Sequence, residues 1–234
     1  MNSGQFAAAV SAGDKSAATS LNDKSVSVNT GNYSVTDSQG KYSVSVNTRE
    51  GCVASSSGDK SLSACTGPCS IAKNIGDNSL SGCGDQLSVA INRGRHSASI
   101  VTGACSKAES GGCNSTSVAT GFSSLAINSG IRSIAATTSE MSEAINVANE
   151  SIAASTERNS AAKNSGIQSA AVSTGSSSIA KNTGTHSIAV STGDESEAIV
   201  SGDQSVAISI GWRSKAKGAR RTDWPVSSSV PPSA

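Results

Sequence analysis

Ser169-Ala170-Ala171-Val172-Ser173-Thr174-Gly175-Ser176-Ser177 is followed at once by Ser178-Ile179-Ala180-Lys181-Asn182-Thr183-Gly184-Thr185-His186. The two nonapeptides agree at the first, third, sixth and seventh places, and the same frame runs from residue 7 to residue 222 without an insertion or deletion. Of 24 such repeats, 22 begin with Ser, the exceptions being Ala7 and Cys52. The third place is always Ala, Ser or Thr, and the seventh is Gly in 17. Alternation over positions one to five is the period-two signature of a strand, and Gly at position seven is expected to supply the turn. A helix does not fit, because nine residues do not keep one face aligned at 3.6 residues per turn and a Gly recurring at nine-residue spacing is costly there. The unbroken frame itself points to stacked coils, in which a one-residue slip turns every inward side chain outward.

A longer period lies beneath the first. Alternate repeats carry Thr at position six: Thr30, Thr48, Thr66, Thr102, Thr120, Thr138, Thr156, Thr174 and Thr192. The intervening set has Thr183 alone there and favours Asn at position five, as in Asn74, Asn92, Asn128, Asn146, Asn164 and Asn182. The unit is therefore 18 residues, two strands and two turns. The expected fold is all-β, a two-sided parallel β-solenoid (β-roll) of about 12 coils and, at ~4.8 Å per layer, about 58 Å long. The expected organisation is a short lead over 1–6, the solenoid over 7–222 and a disordered Pro/Ser-rich tail over 223–234.

Composition agrees with a core built from small residues. The 234-residue chain is 3% aromatic and 35% hydrophobic, too little bulk for an ordinary core. Eighteen basic residues against 17 acidic ones give a net charge of +1, unlike the high net charge of typical disorder. That balance provides no global attraction to nucleic acid or anionic membranes. No apolar run approaches a membrane span, and Met1–Phe6 has no basic and then apolar leader, so neither membrane insertion nor a secretory signal is expected.

Charged residues at positions two and four, such as Lys107, Glu109, Glu143, Lys163 and Glu197, place those positions outward and positions one, three and five inward. Buried hydroxyls and amides then require hydrogen bonds, expected to run between identical side chains of successive coils. The two outward faces differ. Positions two, four and six of the Asn-rich strands hold 11 charged residues among 36, and the same 36 positions of the Thr-rich strands hold none. The uncharged face consists of the Thr column together with residues such as Val28, Val46, Val118, Ile134, Ile152, Val172, Ile188 and Val190. A flat β-branched strip of this kind exceeds what a soluble monomer usually leaves exposed, whereas β-propensity alone explains the Val and Ile but not the missing charge. The expected partner is a second copy, in a dimer or trimer, or an extended surface ligand. The alternative is ice, since a regular Thr column on a rigid sheet orders water.

Ser205-Val206-Ala207-Ile208, Ser88-Val89-Ala90-Ile91 and Ser124-Leu125-Ala126-Ile127, followed by Gly211, Gly94 and Gly130, resemble the repeats of YadA-type trimeric autotransporter adhesin heads. The resemblance covers nearly the whole chain and implies a parallel β-roll that trimerises, with an adhesive role at the cell surface or in a phage particle. Repeats such as Ser169–Gly175 are also similar to nine-residue repeats of uncharacterised bacterial and phage-associated proteins. The narrow polar core and Thr column resemble the architecture of grass ice-binding proteins.

Neither a catalytic residue, a metal site nor a cofactor is expected. His96 and His186, the two histidines, both fall at position nine, five coils apart. Asp14, Asp59, Asp77, Asp194 and Asp203 follow turn glycines without a second carboxylate column and read as turn formers. Cys65 and Cys83, 18 residues apart at position five, should stack within disulfide reach, either bridged or as two thiols filling small core sites. Cys69 and Cys105 share a turn column two layers apart. The basic run Lys215–Arg221 is expected to guard the sheet edge against strand addition.

Overall fold

The computed structural model describes residues 6–218 and the backbone of 224–228. The described chain has no helix and folds as a two-sheet parallel β-solenoid with 18 residues per coil and about twelve coils. It divides into two compact units, residues 1–121 and 122–234.

In the first unit, one sheet stacks β1 (Ala8–Ser11), β3 (Val26–Asn29), β5 (Val44–Asn47), β7 (Leu62–Cys65), β9 (Leu80–Cys83), β11 (Ala98–Val101) and β13 (Thr116–Ala119). The other stacks β2 (Ala17–Ser20), β4 (Val35–Ser38), β6 (Val53–Ser56), β8 (Ile71–Asn74), β10 (Val89–Asn92) and β12 (Lys107–Ser110). The second unit repeats the plan. Its even sheet is β14 (Leu125–Asn128), β16 (Glu143–Asn146), β18 (Ala161–Asn164), β20 (Ile179–Asn182), β22 (Glu197–Val200) and β24 (Lys215–Lys217). Its odd sheet is β15 (Ile134–Thr137), β17 (Ile152–Ser155), β19 (Ala170–Ser173), β21 (Ile188–Thr192), β23 (Val206–Ile210) and β25 (Trp224–Ser228). Partners within each sheet are offset by 18 residues, as in Val44↔Leu62 and Ala153↔Ala171.

β25 differs from the tail expected over 223–234. Trp224 pairs with Val206 and Ser228 with Ile210, so the 18-residue offset continues although the Ser and Gly markers have decayed. Backbone pairing needs amides and carbonyls rather than the consensus side chains, which is why composition hides it. The remainder of that tail, Arg220 and Arg221 of the basic run, and residues 1–5 of the lead lie outside the described residues.

Positions one, three and five are buried from Ala18 to Ser209, as the alternation requires, and only partly covered in the first and last described coils. The satisfying bonds run to backbone more than between like side chains. Ser61 at position one accepts the Ser43 amide on its Oγ at 3.1 Å and donates to the Gly40 carbonyl at 3.2 Å. Each such hydroxyl replaces a rung that the turn interrupts, which explains the near-invariant Ser. Asn at position five does similar work across the coil. Asn74 Nδ2 donates to the Ser61 carbonyl at 2.9 Å, and its Oδ1 accepts the Gly76 amide at 2.9 Å.

The turns also differ from expectation. Position nine is the regularly left-handed one: Lys15 (φ 54°), Leu87 (φ 55°), His96 (φ 54°) and Arg213 (φ 54°) are examples, and Gly51 (φ 66°) stands there once, whereas at position seven only Gly193 (φ 159°) and Gly211 (φ 147°) have positive φ among the described residues. Gly at position seven serves close approach instead. A Cβ on Gly94 would lie 1.9 Å from the carbonyl oxygen of Gly76 in the preceding coil.

The two units differ inside. In the first, position three of the odd strands is Ser from β3 to β13, with Ala9 on β1, and Ser63 and Ser99 donate across the core to the carbonyls of Lys73 (2.8 Å) and Glu109 (2.6 Å). In the second, that column is Ala135, Ala153, Ala171, Ala189 and Ala207, all fully buried.

Candidate interaction face

Outward residues at positions two, four and six of the odd strands form the uncharged face in each unit. In the first unit, Val28, Val46 and Val118 are half-buried at position four, and Thr30, Thr48, Thr66, Thr102 and Thr120 are exposed at position six. In the second, Ile134, Ile152 and Ile188 are exposed at position two and Val172 and Val190 half-buried at position four. Thr138, Thr156 and Thr174 are exposed at position six, with Thr192 half-buried. Every residue the sequence assigns to the strip therefore stands on an outward column. Parallel in-register pairing makes the columns continuous within a unit, as Val26↔Val44 and Val28↔Val46 illustrate.

The face is not uniform. On the β9 rung positions four and six are Gly82 and Gly84, and a Cβ on either would meet nothing closer than 3.9 Å. That rung is a shallow notch in the first unit, invisible to a reading that counts only missing charge. β21 and β23 extend to position six and pair Thr192 with Ile210, so the face of the second unit carries a longer ladder there.

The even sheets carry the charge. Lys107 and Glu109 pair at 2.7 Å on β12, and the diagonals Glu143–Lys163 and Glu197–Lys217 also pair. In the turns, Arg132 Nε donates to Glu150 Oε2 at 2.6 Å. Each pair has a well-exposed basic partner, although Glu197 is only 23% exposed, so each contributes roughly 0–1 kcal/mol and serves solubility more than stability. One concavity in the second unit is lined by Glu195, Glu197, Arg213 and Lys215, and another by Ile145, Val147, Lys163 and Lys181. Both belong to this charged surface.

Compared with known protein families, with curated proteins and with solved structures, the chain finds no match.

The remaining residues singled out from the sequence fall as follows. His96 lies in a turn of the first unit and His186 in a turn of the second. The described residues contain no cluster of three metal-ligating side chains. Asp59 and Asp77 stack in one turn column. Asp59 Oδ1 accepts the Asp77 amide at 3.0 Å and Asp77 Oδ1 accepts the Arg95 amide at 2.7 Å, which satisfies turn donors that no strand reaches. Cys65 and Cys83 are register partners on β7 and β9 and are present as buried thiols. The hydrogen bond between the two thiols, and then burial, push the Cys65 thiol up from its ordinary range, and the same bond draws Cys83 down. Cys69 and Cys105 are exposed in the turns.

Proposed function

We propose that the protein is a non-enzymatic structural solenoid that assembles with further copies of itself through the uncharged Thr/Val/Ile face, in an adhesive or fibre-like role. The observation that carries this reading is the contrast between outward columns free of ions on the odd strands and outward columns bearing ion pairs on the even strands. Both faces have the same backbone, so β-propensity does not account for the difference. The area is sufficient. Seven rungs of the first unit at ~4.8 Å, about 18 Å wide, give roughly 600 Å² per copy, so a face-to-face pair buries about 1,200 Å². Like a stable interface core, the strip is depleted of charge. The likeness of its repeats to adhesin heads agrees with the role.

Thr48→Lys combined with Thr66→Lys tests it by placing two ammonium groups in the strip. The expected result is a concentration-dependent oligomer for the wild type and a monomer for the variant in analytical ultracentrifugation. A wild type that stays monomeric up to millimolar concentration overturns the reading.

The exposed single column of Thr at position six, repeated on parallel rungs, favours ice as the second reading. There the same double variant abolishes thermal hysteresis while leaving the wild-type sedimentation coefficient unchanged, so one pair of proteins separates the two.

A further inference from the structure

The Asn ladder at position five of the even strands has a gap at its start. Asn74 and Asn92 each bind the amide two residues on, those of Gly76 and Gly94, at 2.9 Å. In the three preceding coils the same column is Ser20, Ser38 and Ser56, stacked in register and wholly buried. None of these three hydroxyls has a hydrogen-bond partner, nor has Thr36 Oγ1, two residues from Ser38 on the same inward face of β4. The amides of Gly40 and Gly58, counterparts of Gly76 and Gly94, are engaged by no side chain.

A polar column of this kind is costly if dry. Each unpaired buried hydroxyl or amide has given up its solvation without a replacement bond, and the cost recurs on successive rungs. Ser lacks two of the heavy atoms of Asn, while the coil outline is held by the same register above, where Ser56 pairs with Asn74. The space released per rung is on the order of one water molecule, whose share of liquid volume is about 30 Å³.

From this coincidence of unpaired donors, unpaired hydroxyls and released volume we infer that the corner of the first unit lined by Ser20, Ser38 and Ser56 binds a single file of ordered water. In the Ser38 and Ser56 rungs a water accepts the Gly40 or Gly58 amide, exchanges a hydrogen bond with the serine hydroxyl, and bonds the water of the neighbouring coil. It thus replaces the carboxamide that Asn supplies further along. The site takes water because its walls offer small polar groups and no charge.

A crystal structure of the full chain at atomic resolution tests the inference directly. The expected result is ordered density within hydrogen-bond reach of both Ser38 Oγ and the Gly40 amide. The overturning result is a dry column with the three hydroxyls turned onto the carbonyls of Val26, Val44 and Leu62, as Ser110 is turned onto the carbonyl of Thr116. Ser38→Asn gives an independent readout in solution. Its carboxamide displaces the water and raises Tm by roughly 2–4 °C. A fall in Tm shows that the rung has no room, and overturns the inference as well.

Discussion

At the scale of single residues, the two special positions of each turn answer to different physics. Leu87 sits at φ 55° with its side chain 59% exposed, so it bears the strain of a left-handed L-residue without burying apolar surface in return. Leu87→Gly should stabilise the protein by about 1 kcal/mol, seen as a higher denaturant midpoint at unchanged slope. Gly94→Ala should act in the opposite direction, by several kcal/mol, since its Cβ meets backbone rather than a side chain that can move. A Gly94→Ala variant as stable as wild type would show that the coils are not in such close approach. The cysteines separate by burial in the same way. A thiol reagent should modify Cys69 and Cys105 in the native protein and reach Cys52, Cys65 and Cys83 only after unfolding. An intact mass two units below the reduced value, with the bridge mapped to Cys65 and Cys83 by digestion under non-reducing conditions, would show instead that these two are bridged.

At the scale of elements, each strand is only three to five residues long and is held by what crosses the coil. Asn146 on β16 donates to the carbonyls of Ser133 (3.0 Å) and Ile152 (3.4 Å) and accepts the Ala148 amide at 3.0 Å. Truncation to Ala leaves these groups dry, and Asn146→Ala should cost about 2–4 kcal/mol. The matching change at an exposed rung, Thr138→Ala, should stay within about 0.5 kcal/mol, and thermal melts of the two variants make the comparison. The sequence is informative about this layer only in part. That Ser and Asn columns are buried follows from alternation with charged neighbours. That Ser61 binds the backbone of the preceding coil rather than the serine above it depends on the vertical offset of the turn, which no pattern of residue types encodes.

At the scale of the whole molecule, the 18-residue offset makes each coil answerable chiefly to its neighbours, so the array should tolerate loss of one complete period. Deleting residues 70–87 removes one strand from each sheet of the first unit and restores every column. It should leave a folded, assembling protein. Deleting residues 70–78 preserves the nine-residue frame but exchanges the sheets for the rungs from Ser79 to Gly121, setting Lys107 and Glu109 into the uncharged strip. That protein should keep its β-sheet circular dichroism and lose assembly, whereas loss of fold would mean that the two kinds of nonapeptide are not interchangeable as strands.

What the residues determined unaided was the period, the parallel two-sheet stacking, the inward and outward columns and the separation of an ionic face from an ion-free one. All of these are properties of one coil repeated, and repetition is visible in a linear string. The tertiary structure alone decided where the turns are left-handed, why position seven is Gly, that Trp224–Ser228 extends the ladder, and where buried hydroxyls lack partners. Those depend on distances of an ångström or two between residues 18 apart in the chain, and composition sets such distances only once the coils are laid on one another.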